Sequence, residues 1–92
     1  MADNEALVPI EMARLNITYK GQNGDMPDLV SFDADDNDIK QMASEAVNDG
    51  YVPGIDAHPG AVFNDFIVDR FEATDGVPFN RLVLRPKTPF GG

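Results

Sequence analysis

The sequence predicts an α+β fold in which a mixed four-stranded sheet packs on one helix, with the element order β-β-α-β-β. Two observations lead to this prediction. Strand-like stretches occur as two pairs, one on each side of the middle of the chain, with turn residues inside each pair. Between the pairs, a single stretch has its apolar residues at helical spacing. A chain of 92 residues has room for one such core, so we expect one domain.

The first pair of strands is predicted from Arg14 onward. Three apolar residues alternate with polar ones in its first strand: Leu15, Ile17 and Tyr19. Residues 21–27 are dense in turn-forming types, and residues 29–32 have the composition of a returning strand. The pattern predicts a hairpin, preceded by a flexible N-terminal arm over residues 1–13.

The helix is predicted after residues 33–37, which supply N-cap candidates and negative charge suited to a helix N-terminus. Five apolar residues then follow helical spacing and are expected to be buried against the sheet: Ile39, Met42, Ala43, Ala46 and Val47. Gly50 fits the C′ position, and Pro53 prevents continuation. We therefore expect one amphipathic helix.

The second pair of strands follows an irregular crossing over residues 51–60. Four apolar residues are expected to face the helix: Phe66, Val68, Leu82 and Leu84. Strand alternation then turns Ile67 and Val83 to the opposite face, and residues 74–78 form the turn. Because the helix connects the two hairpins, we expect the first and last strands to lie parallel in the centre of the sheet.

Charge and composition exclude several classes of function. Sixteen acidic residues against seven basic ones give a formal net charge of −9, so we expect no nucleic-acid partner. The chain has no cysteine, and His58 with Asp56 alone cannot hold a metal ion, so no metal site is expected. No apolar run could span a bilayer and no secretory signal is visible, so we expect a cytoplasmic protein with no membrane partner.

The end of the chain has a specific motif. Residues 82–85 read Leu-Val-Leu-Arg, and a short linker separates them from Gly91 and Gly92. This arrangement resembles the C-terminus of ubiquitin. Three further segments are similar to ubiquitin segments in the same order: residues 48–53, 66–68 and 74–76. The resemblance implies a ubiquitin-like β-grasp domain over residues 14–85 and a flexible tail over residues 86–92.

The resemblance also implies a chemistry for Gly92. In the ubiquitin-like family, an activating enzyme uses ATP and Mg²⁺ to adenylate the terminal carboxylate, which passes to a partner cysteine as a thioester and is then joined to a target amine. The implied partners are activating and conjugating enzymes, a deconjugating protease and target proteins. The chain itself would be no enzyme and would need no cofactor. Glycine suits a tail that threads into a narrow active site, because it has no Cβ.

Recognition residues follow from the same resemblance. Gly91, Phe90 and Arg85 correspond to the tail that an activating enzyme reads, although an arginine that closes a strand is as commonly a solvated edge residue. The chain departs from ubiquitin in three ways: the region after Gly76 is shorter, the loop around His58 and Pro59 is longer, and Phe90 replaces the small or basic residue usual in the family. Together these departures make the chain more similar to a prokaryotic ubiquitin-like modifier than to ubiquitin itself. Ile67 and Val83 match two members of the apolar docking patch of ubiquitin.

Two other functions remain open from the sequence. A β-grasp sulfur carrier also ends in Gly-Gly, and there Gly92 would become a thiocarboxylate. A plain binding module would use Ile67 and Val83 for docking and have an inert tail. The sequence does not choose among Lys20, Lys40 and Lys87 as sites of chain formation.

Overall fold

The computed structural model describes residues 8–87. It is an α+β fold with a mixed sheet of five strands and one helix, which confirms the predicted α+β class. Two finer expectations are corrected, because the sheet has five strands and not four, and the element order is β-β-β-α-β-β and not β-β-α-β-β. The elements are β1 (Met12–Tyr19), β2 (Gln22–Asp25), β3 (Val30–Ser31), α1 (Asp36–Asn48), β4 (Phe66–Phe71) and β5 (Asn80–Pro86).

The sheet has the strand order β2-β1-β5-β4, and β3 pairs with the beginning of β1. β1 and β5 are parallel neighbours in its centre, with Leu15 opposite Leu82, as we expected from the connection through the helix. The other pairs are antiparallel.

The first hairpin differs from the prediction. Lys20 and Gly21 have φ angles of 50° and 80°, so two residues with positive φ close the turn directly after β1. The segment that we expected to be a long turn, residues 21–27, instead contains β2. The predicted returning strand over residues 29–32 shrinks to the two residues of β3. Polar side chains of β2 form hydrogen bonds with those of β1. A search for alternating apolar residues therefore does not detect this strand.

The ends of α1 agree with the sequence. The Asp35 carboxylate caps the N-terminus by accepting a hydrogen bond from the backbone N–H of Asp38 at 2.9 Å. At the other end, Gly50 has a φ of 71°, and its N–H donates to the carbonyl of Val47 at 3.2 Å. Asp35 and Gly50 thus fix the length of the helix.

The burial of Met42 on α1 differs from the prediction. Ile39, Ala43, Ala46 and Val47 are buried as expected, but Met42 is only partly buried. It lies at the margin of the buried stripe, where it lines a groove with Met26 and Tyr51. The Tyr51 hydroxyl donates to Asp28 at 3.0 Å, and this hydrogen bond and the negative charge of Asp28 raise the pKa of Tyr51.

The core lies between α1 and one face of the sheet, called here the inner face. Its largest fully buried side chains are Phe63, Leu15, Ile17, Ile39, Leu82, Leu84, Val47 and Val52. Phe66 and Val68 pack against this cluster, as the strand pattern predicted. The segment between α1 and β4 adds Val52 and Phe63 to the core.

The opposite side of the sheet, called here the outer face, carries no helix within residues 8–87. β1 begins at Met12 and β5 ends at Pro86. The predicted division into an arm over 1–13, a domain over 14–85 and a tail over 86–92 stays a prediction, because much of both terminal segments lies outside the described residues.

Candidate functional site on the outer face of the sheet

The predicted reacting end of the chain falls outside the described residues. Gly92, Gly91 and Phe90 belong to this group, so their roles stay predictions. The described chain reaches Lys87, one residue after β5. The parts of the predicted site that the structure does describe are Arg85 and the pair of apolar residues on β4 and β5.

Ile67 and Val83 both lie on the outer face. In the antiparallel register of β4 and β5, Ile67 is opposite Arg85, and Val83 is opposite Asp69. Leu84 and Leu82 point the other way and are buried. Four residues on two strands therefore form a small square, in which Ile67 and Val83 occupy one diagonal and Arg85 and Asp69 the other.

An ion pair occupies the second diagonal of this square. The Arg85 Nε donates to the Asp69 Oδ2 at 2.6 Å, and the two side chains are 39% and 33% exposed. β5 lies between β1 and β4, so Arg85 is not on an edge strand. The ion pair runs between the two apolar residues, and any partner that bound Arg85 would have to compete with Asp69 for the guanidinium.

A hollow of about 290 Å³ adjoins this square on the side of β1. The residues that line it are Arg14, Asn16, Asp25, Phe79, Arg81 and Val83. Val83 is thus shared between the predicted docking patch and the hollow. Sequence reasoning missed Arg14 and Arg81, because only the register between β1 and β5 brings them together. It also missed a site role for Phe79, which directly precedes β5.

Two arginines define the chemistry of the hollow. Arg14 and Arg81 are directly opposite each other in the parallel β1–β5 register, on the same face. The Arg14 guanidinium lies over the Phe79 ring at 5.0 Å from its centroid, and the Arg81 guanidinium lies over the Phe71 ring at 4.9 Å. Within residues 8–87, neither arginine forms an ion pair. Among the described residues, each positive group therefore contacts an aromatic ring and not an acidic side chain.

The β2 side of the hollow is fixed by amide hydrogen bonds. Asn16 and Asn23 exchange side-chain hydrogen bonds at 3.0 and 2.8 Å. Asn16 also donates to the Asp25 carboxylate at 2.8 Å. Asp25 is the one carboxylate among the lining residues, and its contact with Asn16 orients it within β2.

The described residues were also compared with other kinds of functional site. In the described part of the chain, no group of three His, Cys, Asp or Glu residues could hold a metal ion. No helix over the same residues is long and apolar enough to cross a membrane. His58, the single histidine, packs edge-on against Tyr19 with ring centroids 5.2 Å apart. The described side chains on the outer face include charged, polar and apolar groups, which can bind charged and apolar ligands.

No family model matches this chain, and neither a curated protein nor a solved structure does.

Proposed function

We propose that this chain is a ubiquitin-like protein modifier with a β-grasp domain. Its Gly92 carboxylate is adenylated, passed to a thioester and joined to a target amine. The observation that supports this proposal is the position of β5. The strand carries the Leu-Val-Leu-Arg motif of residues 82–85, lies parallel to β1 in the centre of the sheet, and ends at Pro86, shortly before Gly92. The chemistry requires a free carboxylate at Gly92, whether the chain ends there or is cleaved there.

In this proposal the outer face is the recognition surface. Ile67 and Val83 contact the activating enzyme, and Arg85 contributes a charge next to them. ATP and Mg²⁺ are bound by that enzyme, and conjugating enzymes, a deconjugating protease and target proteins complete the pathway in the cytoplasm. The modifier itself is a substrate and performs no catalysis.

The test measures the intact mass of the protein after incubation with ATP and the cognate extract, which comes from the cells in which the protein naturally occurs. The native chain is compared with a chain that lacks residues 91–92. We expect ATP-dependent protein adducts from the native chain and none from the truncated one, with equal melting temperatures for both. Gly91→Leu should also impair transfer, because its side chain narrows the conformations open to the tail.

Other outcomes of this experiment overturn the proposal. Replacement of one oxygen by sulfur on the native chain would identify a sulfur carrier. An unchanged mass in the cognate extract would leave a non-conjugated binding module, and identical adducts from the truncated chain would exclude Gly92 as the reacting residue.

A substitution on the outer face tests recognition separately from the tail. Ile67→Ala should slow adduct formation while the melting temperature stays close to that of the native protein. The matched control is Val62→Ala, because Val62 is an exposed aliphatic residue outside the sheet. Equal rates for both variants would show that Ile67 takes no part in docking.

A further inference from the structure

We propose that the hollow between Arg14 and Arg81 binds an acidic segment of a partner protein, with a carboxylate held by the two guanidinium groups. This site is distinct from the predicted tail chemistry, and it needs neither activation nor conjugation at Gly92. The partner chemistry is a peptide with acidic side chains and an apolar residue between them.

The first argument is the repulsion between the two arginines. Like charges directly opposite each other on neighbouring strands destabilise a sheet. Arg14 and Arg81 are such a pair, and no acidic side chain within residues 8–87 forms an ion pair with either of them. A bound carboxylate would relieve this repulsion, since Asp25 is the one carboxylate among the described residues that line the hollow.

The second argument is the preorganisation of the guanidinium groups. Phe79 lies under Arg14, and Phe71 lies under Arg81. An arginine stacked on an aromatic ring keeps the edge of its planar fork free for a carboxylate, which it binds through two parallel hydrogen bonds. Stacking also restricts the side chain before the ligand arrives, which reduces the entropy lost on binding.

The third argument concerns the distribution of charge. The chain has a formal net charge of −9, yet three of its four arginines lie on the outer face: Arg14, Arg81 and Arg85. Arg85 is neutralised by Asp69, which leaves the positive charge concentrated at the hollow. A long polyanion such as nucleic acid would be repelled by the rest of the molecule, whereas a short acidic peptide would meet mainly this region.

Two lining residues refine the chemistry of the ligand. Val83 supplies an apolar surface next to the arginines, which suits an aliphatic side chain of the peptide. Asp25 lies on the opposite side and limits how much negative charge the hollow accepts. Both features favour a peptide in which acidic and aliphatic residues alternate.

The test is a titration of the ¹⁵N-labelled full chain, followed by amide chemical shifts. The probe is a blocked peptide of alternating glutamate and valine, and its control has glutamine in place of each glutamate. We expect shifts centred on Arg14, Arg81 and Val83 with the first peptide only, and weaker binding at higher salt. Equal binding of the glutamine peptide, no shifts at millimolar peptide, or shifts centred elsewhere would overturn the proposal.

Variants that neutralise a positive or a negative charge in the hollow sharpen this test. Arg81→Gln and Arg14→Gln should each weaken binding of the glutamate peptide about tenfold, since each removes a charge-assisted contact. Asp25→Asn should tighten it about twofold by removing the nearby negative charge. The matched control is Lys40→Gln, which makes the same charge change on α1. A similar weakening in the Lys40 variant would show that binding follows net charge and would overturn the assigned site.

A single-stranded oligonucleotide serves as the competing anion. We expect it to bind more weakly than the glutamate peptide at equal salt, because of the net charge of the chain. Tighter binding of the oligonucleotide at the same residues would overturn the assignment to a protein partner.

Discussion

The two faces of the sheet differ in what organises them. On the inner face, Leu15, Ile17 and Leu82 are fully buried beneath α1 and the segment that follows it, and the alternation within single strands predicts each of them. On the outer face, Arg14 and Arg81 are neighbours only because the register of β1 and β5 places them opposite each other. The alternation of residues within one strand predicts which side chains are buried. A site on the surface depends in addition on the register between neighbouring strands.

The largest expected effect tests this difference on successive residues of β5. Leu82→Ala should lower the free energy of unfolding by about 2 to 5 kcal/mol, because it opens a cavity in the core. Val83→Ala, one residue further along on the outer face, should cost less than about 1 kcal/mol. Urea unfolding of both variants gives the comparison. Similar losses for the two would mean that the outer face contributes to stability as much as the inner one.

Asn80 is the exception that sharpens the comparison. It has the same parity in β5 as the buried leucines, but it is polar and only 4% exposed. Its Nδ2 donates to the carbonyls of Ile10 and Met12 at 2.6 and 3.1 Å, and its Oδ1 accepts from the N–H of Ala73 at 2.9 Å. The inner face therefore ends at a polar junction that ties three segments of the chain together.

Asn80→Leu should destabilise the protein by about 2 to 4 kcal/mol, since it leaves buried backbone groups without partners. The control is Asn64→Ala at an exposed loop position, where we expect a change within about 0.5 kcal/mol. Thermal melts of both variants provide the measurement. If Asn80→Leu caused no loss of stability, water would have to replace the lost hydrogen bonds, and the junction would be accessible to solvent.

The same contrast explains which predictions from the sequence succeeded. The helix with its cap at Asp35 and its end at Gly50, and the parallel pairing of β1 with β5, follow from local patterns and from connection rules. The first hairpin was misplaced, because a turn closed by Lys20 and Gly21 leaves a polar strand with no apolar pattern. The paired arginines of the hollow depend on register, which no single-strand pattern encodes.

A substitution at Gly24 tests how closely the inner face is packed at the β2 edge of the sheet. It is opposite Ile17, so a side chain here would point toward the core, but a Cβ would overlap the carbonyl oxygen of Pro53. Gly24→Ala should cost about 1 to 3 kcal/mol, because the backbone of the following segment must move. The control, Gly76→Ala, has open space around the new methyl group and should be neutral or slightly stabilising. Equal melting temperatures for the two variants would contradict this close contact.

The smallest expected effect concerns the ion pair on the outer face. Both partners are partly exposed, and such pairs contribute about 0 to 1 kcal/mol, so Asp69→Asn should lower stability by less than about 1 kcal/mol. The loss should shrink as salt rises, because salt screens the attraction in the native protein. Chemical denaturation with urea at low and high salt measures both quantities, and Asp75→Asn, at an exposed turn position, corrects for the change in net charge.

The same variant also distinguishes a structural role of Arg85 from a role in recognition. Asp69→Asn removes the negative charge that holds the Arg85 guanidinium, and a partner that binds Arg85 then competes only with a neutral amide oxygen. If the outer face serves the recognition that we propose, the variant should keep its stability and react with the proposed activating enzyme at least as fast as the native chain. A loss of stability above about 2 kcal/mol would instead make the ion pair part of the structural framework. The distinction between an inner face that stabilises the fold and an outer face that we propose for binding would then fail at Arg85.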